Sequence, residues 1–333
     1  MIQKIIKSTV LLSLAASVVF AAPGVRSNAI PGDQEDKYEK EFLPSLEEAV
    51  GFTLSDPHEK INDAYEARYG NPKDPDYDKD WTTNLDNLGF FSVTNDTALH
   101  EILTSSPQAA GFAPFNLLIY KAKAENVTYI THVDPTTMLD ITGVTDKADR
   151  KAFVDMYKPL DDYITKEFGG KVEISEYKSL PEKPMMTFEI DVDRSGDLTD
   201  FIDSFQGQFE EAFEDKKYII AGYKNFKETY EDLEMPFEQY DKFFVYGLCH
   251  FTFSYNIFNK GRPDVGAFAP CSMYFYIKKG SNKMVVGMPR LSTWVSVMNI
   301  KDKTMIQSTK DLDAEITGIM EELGAKEIWK LYY

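Results

Sequence analysis

The feature that most narrows what this chain can fold into is that it repeats itself. A displacement of 156 residues carries Pro107, Phe112, Ala113, Pro114 and Tyr120 onto Pro263, Phe268, Ala269, Pro270 and Tyr276 without a gap. Five identities across residues 91–120 and 247–276 exceed the roughly two that average composition would give. The same displacement carries Met156, Leu160, Tyr163 and Ile164 onto Leu312, Ile316, Ile319 and Met320, an i, i+4, i+7, i+8 apolar stripe in both copies. A repeat of this length implies one folding unit used twice, so two similar units with pseudo-symmetric packing are expected.

The second copy is the easier to read. "MMTFEIDV" alternates as a strand, and "DLTDFIDSFQGQFEEAF" puts Phe201, Phe205, Phe209 and Phe213 on one helical face. "KYIIAGYKNF", "KFFVYGLC", "CSMYFYI" and "KMVVGM" are further strands, the last two joined by a hairpin through Lys279 and Gly280. A final helix is expected from about Ser308 to Gly324. The first copy reads as an abbreviated version, with "VGFTLS", a helix around "PHEKINDAYEARYG" and the same later half. Strands and helices without regular alternation argue an α+β fold of two tandem units. Pro114 and Pro270 fit this reading, since a residue without N–H is tolerated at the start of a strand and sets its register.

Ahead of the repeat, Lys4 and Lys7 precede an apolar run from Thr9 to Phe20. The pattern is that of a secretory signal peptide, residues 1–21, with Val19-Phe20-Ala21 at its cleavage point. The run is too short to span a bilayer, which takes about twenty apolar residues, and no transmembrane segment is expected after its removal. The expected location is therefore periplasmic or secreted. Residues 22–40, rich in Gly, Pro and charge, read as a flexible leader. The prolines of "SEYKSLPEKPMM" then divide a first unit, residues 41–178, from a second, residues 179–333.

The net charge of −18 speaks against nucleic acid and anionic lipid as partners, because both are bound by neutralising phosphates with Lys and Arg. The two cysteines, Cys249 and Cys271, both lie in the second unit. An oxidising compartment would permit a disulfide between them, while their thiols with His250 also suit a soft metal such as Cu(I) or Zn, with Met273 or Met288 as a further ligand. A pair of packed thiols is equally compatible with the residues.

At these cysteines the second copy resembles the family called domain of unknown function 302. The resemblance lies in Gly247-Leu248-Cys249, Pro263, the strand opening Pro270-Cys271 and the closing Pro289. The first copy matches in Pro107, Pro114 and Asp134-Pro135, but the ungapped displacement puts Val93 opposite Cys249 and Phe115 opposite Cys271. The resemblance implies an antiparallel sheet with helices on one face, similar to the TATA-binding-protein-like class, and it implies no reaction. Cysteines present together in one copy and missing together in the other point to one shared spot, where Val93 and Phe115 are expected to touch.

Other candidate sites are weaker. Asp191, Asp193, Ser195 and Gly196 echo a calcium loop, but Ile202 stands where a bidentate Glu is required, and Asp197 with Asp200 fits a helix cap. His132 and Asp134 lie on one strand face as a potential acid–base pair, whereas His58 and His100 sit in charged, helical settings that require no role. The sequon at Asn95 is expected to cap a helix. The dense aromatics Phe243, Phe244, Tyr246, Phe251, Phe253, Tyr255, Phe258, Tyr274 and Tyr276 fit a core better than a ligand cavity. The function expected is non-catalytic binding of a small molecule or soft metal ion near Cys249, His250 and Cys271, the alternative being a redox or metal-dependent enzyme using the two thiols.

Overall fold

The structure, a computed structural model, describes residues 21–328. Apart from Ala21, the expected signal peptide lies outside the described residues. Twelve strands run in chain order: β1 (Ala22–Pro31), β2 (Thr53–His58), β3 (Leu85–Thr94), β4 (Phe115–Ala122), β5 (Val127–Val133), β6 (Lys171–Tyr177), β7 (Met185–Asp191), β8 (Tyr218–Asn225), β9 (Tyr240–His250), β10 (Cys271–Lys278), β11 (Lys283–Pro289) and β12 (Lys326–Glu327). They form two six-stranded antiparallel sheets, β2-β3-β4-β5-β1-β6 and β8-β9-β10-β11-β7-β12. The order is the same in both, strand for strand. With the helices between them this is an α+β fold of two similar units.

Two expectations about the first unit need correction. Residues 22–40 are not a flexible leader and the unit is not abbreviated. β1 is an inner strand, flanked by β5 with Val25 opposite Val133 and by β6 with Ala22 opposite Tyr177. Its composition misleads because Pro23 sits at an irregularity in the β1–β6 register and Pro31 ends the strand, the two kinds of place where a residue without N–H costs little. In the second unit β7 holds the matching position, and a seven-residue loop carrying Pro181 and Pro184 joins β6 to β7.

The helices follow from their caps. Asp146 accepts from the Ala148 and Asp149 N–H groups at the start of the helix Lys147–Phe168, and Asp302 accepts from Met305 N–H at the start of Lys303–Glu322. The last helix thus begins at Lys303 rather than near Ser308, because Asp302 supplies the cap. Both helices bury the stripe read from sequence: Met156, Leu160 and Ile164 in one, Leu312, Ile316, Ile319 and Met320 in the other. The helix Leu198–Glu214 packs Phe205, Phe209 and Phe213 inward.

One hydrophobic cluster runs through both units. Where they meet, equivalent segments face each other: Phe112 lies against Phe268 with ring centroids 6.4 Å apart, Ser272 Oγ donates to Pro114 O at 2.9 Å, and Asn116 Nδ2 donates to Gly266 O at 2.6 Å. Tyr69 stacks on Tyr255 at 3.9 Å. His58 Nε2 lies 2.7 Å from Ala221 O, and His100 Nε2 lies 2.7 Å from Pro236 O. Two histidines to which the sequence assigned no role therefore tie one unit to the other, and His58 ends a strand rather than lying in a helix.

Candidate functional site

Strand pairing fixes which residues of the two units are equivalent. β4 and β5 match β10 and β11 at a displacement of 156, since Leu118 faces Thr131 and Tyr274 faces Gly287. β3 matches β9 at 155, because Val93 faces Phe115 where Leu248 faces Cys271. Val93 and Phe115 do meet as cross-strand partners, but the partner of Val93 in the second unit is Leu248, and Cys249 matches Thr94. The extra residue falls between the helix cap and Pro263. There the regular α-helix Asp96–Ser105 of the first unit is replaced by the turn Phe251–Ser254 running into a π-helical turn, Tyr255–Asn259. A π turn is what a helix makes of one inserted residue.

His250 is explained by the same equivalence. Asn95 Oδ1 accepts from Ala98 N–H at 3.1 Å, and His250 Nδ1 accepts from Phe253 N–H at 3.2 Å, each capping the helix that follows. The accepting role leaves the proton on Nε2. Burial holds the His250 pKa below its ordinary value, favouring that neutral form.

Cys249 and Cys271 are both free thiols, so of the readings the sequence allowed the disulfide candidate is not the one seen. The reason is register: Cys271 faces Leu248 on β9, while Cys249 faces Ile219 on β8, so the two thiols are not cross-strand partners. Burial pushes the Cys249 thiol up to about 11 and the Cys271 thiol well above its usual range. Among the described residues no group of three or more His, Cys, Asp or Glu is arranged to hold a metal ion. Neither Cys249, His250 and Cys271 nor the Asp191–Gly196 loop meets that requirement. In the loop, Asp191 pairs with Lys283 at 2.5 Å, Asp193 accepts from Ser195 N–H, and Asp197 caps the helix through Thr199 N–H.

What the two cysteines do share is a chamber. Its walls include Tyr218, Leu248, Cys249, His250, Phe253, Cys271, Met288, Trp294, Leu312 and Ile316. The chamber offers about 20 Å³ to the centre of a water molecule, room for about one water. His250, Phe253 and Leu312 separate it from an outer groove of about 570 Å³, whose other walls include Asn256, Ile257, Lys260, Met305, Ser308 and Asp311. The dense aromatics between Phe243 and Tyr276 are mostly core, as expected, and of these Phe253 and Phe258 also line the chamber, beside Tyr218 and Trp294.

The first unit fills this place. Phe115, at the position of Cys271, packs its ring 4.6 Å from Tyr157, 5.8 Å from Phe52 and 5.9 Å from His132. By strand and helix register Phe52 corresponds to Tyr218, His132 to Met288 and Tyr157 to Asp313. His132 does not pair with Asp134. Its Nε2 lies 2.9 Å from Asp161 Oδ1, its Nδ1 lies 2.8 Å from Val133 O, and Asp134 caps the helix Pro135–Thr142 through Thr136 N–H. In the second unit Arg290 stands at the Asp134 position and pairs with Glu327. The capping acceptor there is Asp313, reaching Leu291 N–H at 2.7 Å and Ser292 N–H at 3.2 Å from the last helix. The exchange of a tyrosine for a small carboxylate thus has a structural reason, and together with Phe115→Cys271 it opens the chamber.

No protein-family model matches the chain, and no curated protein matches it. Among solved structures it is similar to the "uncharacterized conserved protein DUF302 from Bacillus stearothermophilus", at 17% identity and a TM-score of 0.33, over 40% of this chain and 95% of that one. Overlap at that level carries no information about ligand or chemistry. Among the described residues no helix is long and apolar enough to cross a membrane.

Proposed function

We propose that this is an exported, non-catalytic binding protein built from two units of the domain-of-unknown-function-302 type, the second of which takes a small, largely apolar ligand in its outer groove and thiol-lined chamber. The observation that carries this reading is the contrast between one frame plugged by Phe115, Tyr157 and Phe52 and the same frame left open beside Cys271. A groove of this size falls in the range of small-molecule sites, and Phe253, Ile257, Met305 and Leu312 give it apolar surface among polar and charged neighbours. A thiol must ionise to act as nucleophile or metal ligand, and burial of both thiols works against the redox alternative. Export is supported by sequence and by strand position together. Cleavage after Ala21 would start the mature chain at Ala22, the first residue of β1, and leave the inner strand whole.

The apolar dye Nile red tests the binding reading. One equivalent is expected to bind the wild-type protein and to be lost on Ser308→Trp, which blocks the groove, while Ala152→Trp at the equivalent place in the first unit leaves binding intact. Absence of binding, or equal loss in both variants, would overturn it. Intact mass of protein recovered from the extracytoplasmic fraction tests export, with Ala22 expected as the first residue and a retained Met1 as the contrary result.

A further inference from the structure

Three residues, His250, Phe253 and Leu312, border both the chamber and the outer groove. Two of them are apolar, so His250 is the polar group met in passing from one space to the other. Its Nδ1 accepts from Phe253 N–H at 3.2 Å, and a neutral imidazole that accepts at one nitrogen carries its proton on the other. Burial favours that neutral form. Among the described residues the Nε2–H group has no acceptor. Since Nδ1 is turned into the cap, Nε2 lies on the edge of the ring that faces away from it. Ser254, the chamber's hydroxyl beside this cap, is already engaged, donating to Phe251 O and accepting from Tyr65, each at 2.8 Å. The Glu315 carboxylate acts on the ring only at a distance and lines neither space. The first unit offers no such donor. Its cap, Asn95, packs its amide on the chain, where a Cβ added to Gly51 would lie 3.1 Å from Asn95 Nδ2.

Building on the proposed ligand site, we infer that the ligand carries a neutral methyl carbonyl, a methyl ketone or acetyl ester, with its methyl in the chamber, its oxygen accepting from His250 Nε2–H and its remaining chain in the groove. The chamber has room for about one water, and Leu248, Phe258, Met288, Leu291, Trp294 and Ile316 stand around it beside the two thiols. A buried water needs two to four polar partners, whereas a methyl needs none, so these walls suit the methyl better. A carbonyl oxygen one bond from that methyl then falls at the partition, where the free donor is. An alkyl halide of the same shape fills the space but leaves the N–H without a strong acceptor. A carboxylate would bring its charge against chamber walls that include neither Lys nor Arg. Past Phe253 and Leu312 the groove offers Ile257 and Met305 to an alkyl chain.

The test is a titration of the full-length mature protein with four probes of similar size: 2-pentanone, 3-pentanone, 1-chlorobutane and butyrate, read by calorimetry or by the shift in thermal midpoint. 2-Pentanone is expected to bind at least tenfold more tightly than 1-chlorobutane and butyrate, and at least threefold more tightly than 3-pentanone, which has only ethyl groups to offer the chamber. His250→Asp keeps a capping acceptor and removes the donor. It is expected to bring 2-pentanone within threefold of 1-chlorobutane while Nile red still binds. Should that variant not fold, nitrogen NMR of the four histidines in the wild type reads the same contact. One proton-bearing Nε2 signal is expected to move on adding 2-pentanone and to stay in place on adding 1-chlorobutane. An unmoved signal, equal binding of 2-pentanone and 1-chlorobutane, or a preference for butyrate would overturn the carbonyl assignment and leave the groove reading standing. Equal binding of the two ketones would overturn the placing of the methyl in the chamber. Nile red binding with none of the four probes would overturn both. Loss of both Nile red and probe binding in the wild type would instead sink the groove reading on which this one rests.

Discussion

The two units share a strand order and differ in what fills one place between the sheet and the last long helix. In the first unit three rings, Phe115, Tyr157 and Phe52, meet around the buried His132. In the second, Cys271, Asp313 and Tyr218 hold the same positions and leave a chamber. The same frame tolerates both because each unit supplies its own compensation: Asp134 caps one helix locally, and Asp313 caps its counterpart from the last helix of the same unit. Local side-chain volume, more than backbone, therefore decides which unit can hold anything.

The contrast breaks or sharpens most clearly at the position shared by Phe115 and Cys271. Phe115→Ala is expected to cost about 3–5 kcal/mol in chemical denaturation, the range for a buried aromatic. Cys271→Ala should cost about 1 kcal/mol, since its sulfur already borders empty space. Equal costs would mean that the two places are packed alike. A smaller effect is expected from the caps. Asp313→Ala leaves two amide N–H groups without their acceptor and should destabilise by about 1–3 kcal/mol, against about 1 kcal/mol for Asp134→Ala. A reversal of that order in thermal or denaturant midpoints would separate Asp313 from the role of Asp134.

The smallest effect is expected at the cap pair Asn95 and His250, where pH separates the units. A base whose folded pKa is lowered binds fewer protons folded than unfolded, so the stability it contributes is lost as pH falls below its unfolded value near 6.5. His250→Asn should change stability at pH 7.5 by less than about 0.5 kcal/mol, because asparagine caps at least as well. The same change should flatten the fall in stability below pH 6.5, measured as denaturation midpoint against pH, and an unchanged slope would count against His250 as its source. At the other end, the Cys249 thiol is raised in the folded state. Its contribution is complete below its unfolded value and is lost as pH rises through about 11, so Cys249→Ala should lessen alkaline destabilisation.

Much of the second unit was legible in the sequence because its strands and helices carry clean period-two and period-3.6 patterns, and of the phenylalanine face read on Leu198–Glu214, Phe205, Phe209 and Phe213 are buried while Phe201 at its start is half-buried. β1 was not, because its prolines and charges imitate a leader, and only a partner more than a hundred residues away, such as Val133 for Val25, reveals it as an inner strand. The shared cysteine spot was half legible. The displacement found Phe115 and Cys271 but misplaced Cys249 by one residue, because an ungapped comparison cannot see an insertion absorbed by a π turn. Tyr218 left no signal, since Phe52 becomes its counterpart only through strand register. The capping of Leu291 by Asp313 is equally invisible to spacing alone.

The pairing of Ala22 with Tyr177 has a consequence for how such a chain can be cut and rejoined. Facing residues on adjacent antiparallel strands lie about 5 Å apart, so the first unit ends beside where it begins. A unit closed in this way can be copied head to tail without threading any strand through another, which is the arrangement the seven residues between β6 and β7 preserve. It can also be permuted: a short linker from Tyr177 back to Ala22, with new ends opened in the loop between β4 and β5, would leave the β1–β5 and β1–β6 ladders intact while moving the start of the chain to the opposite end of the sheet.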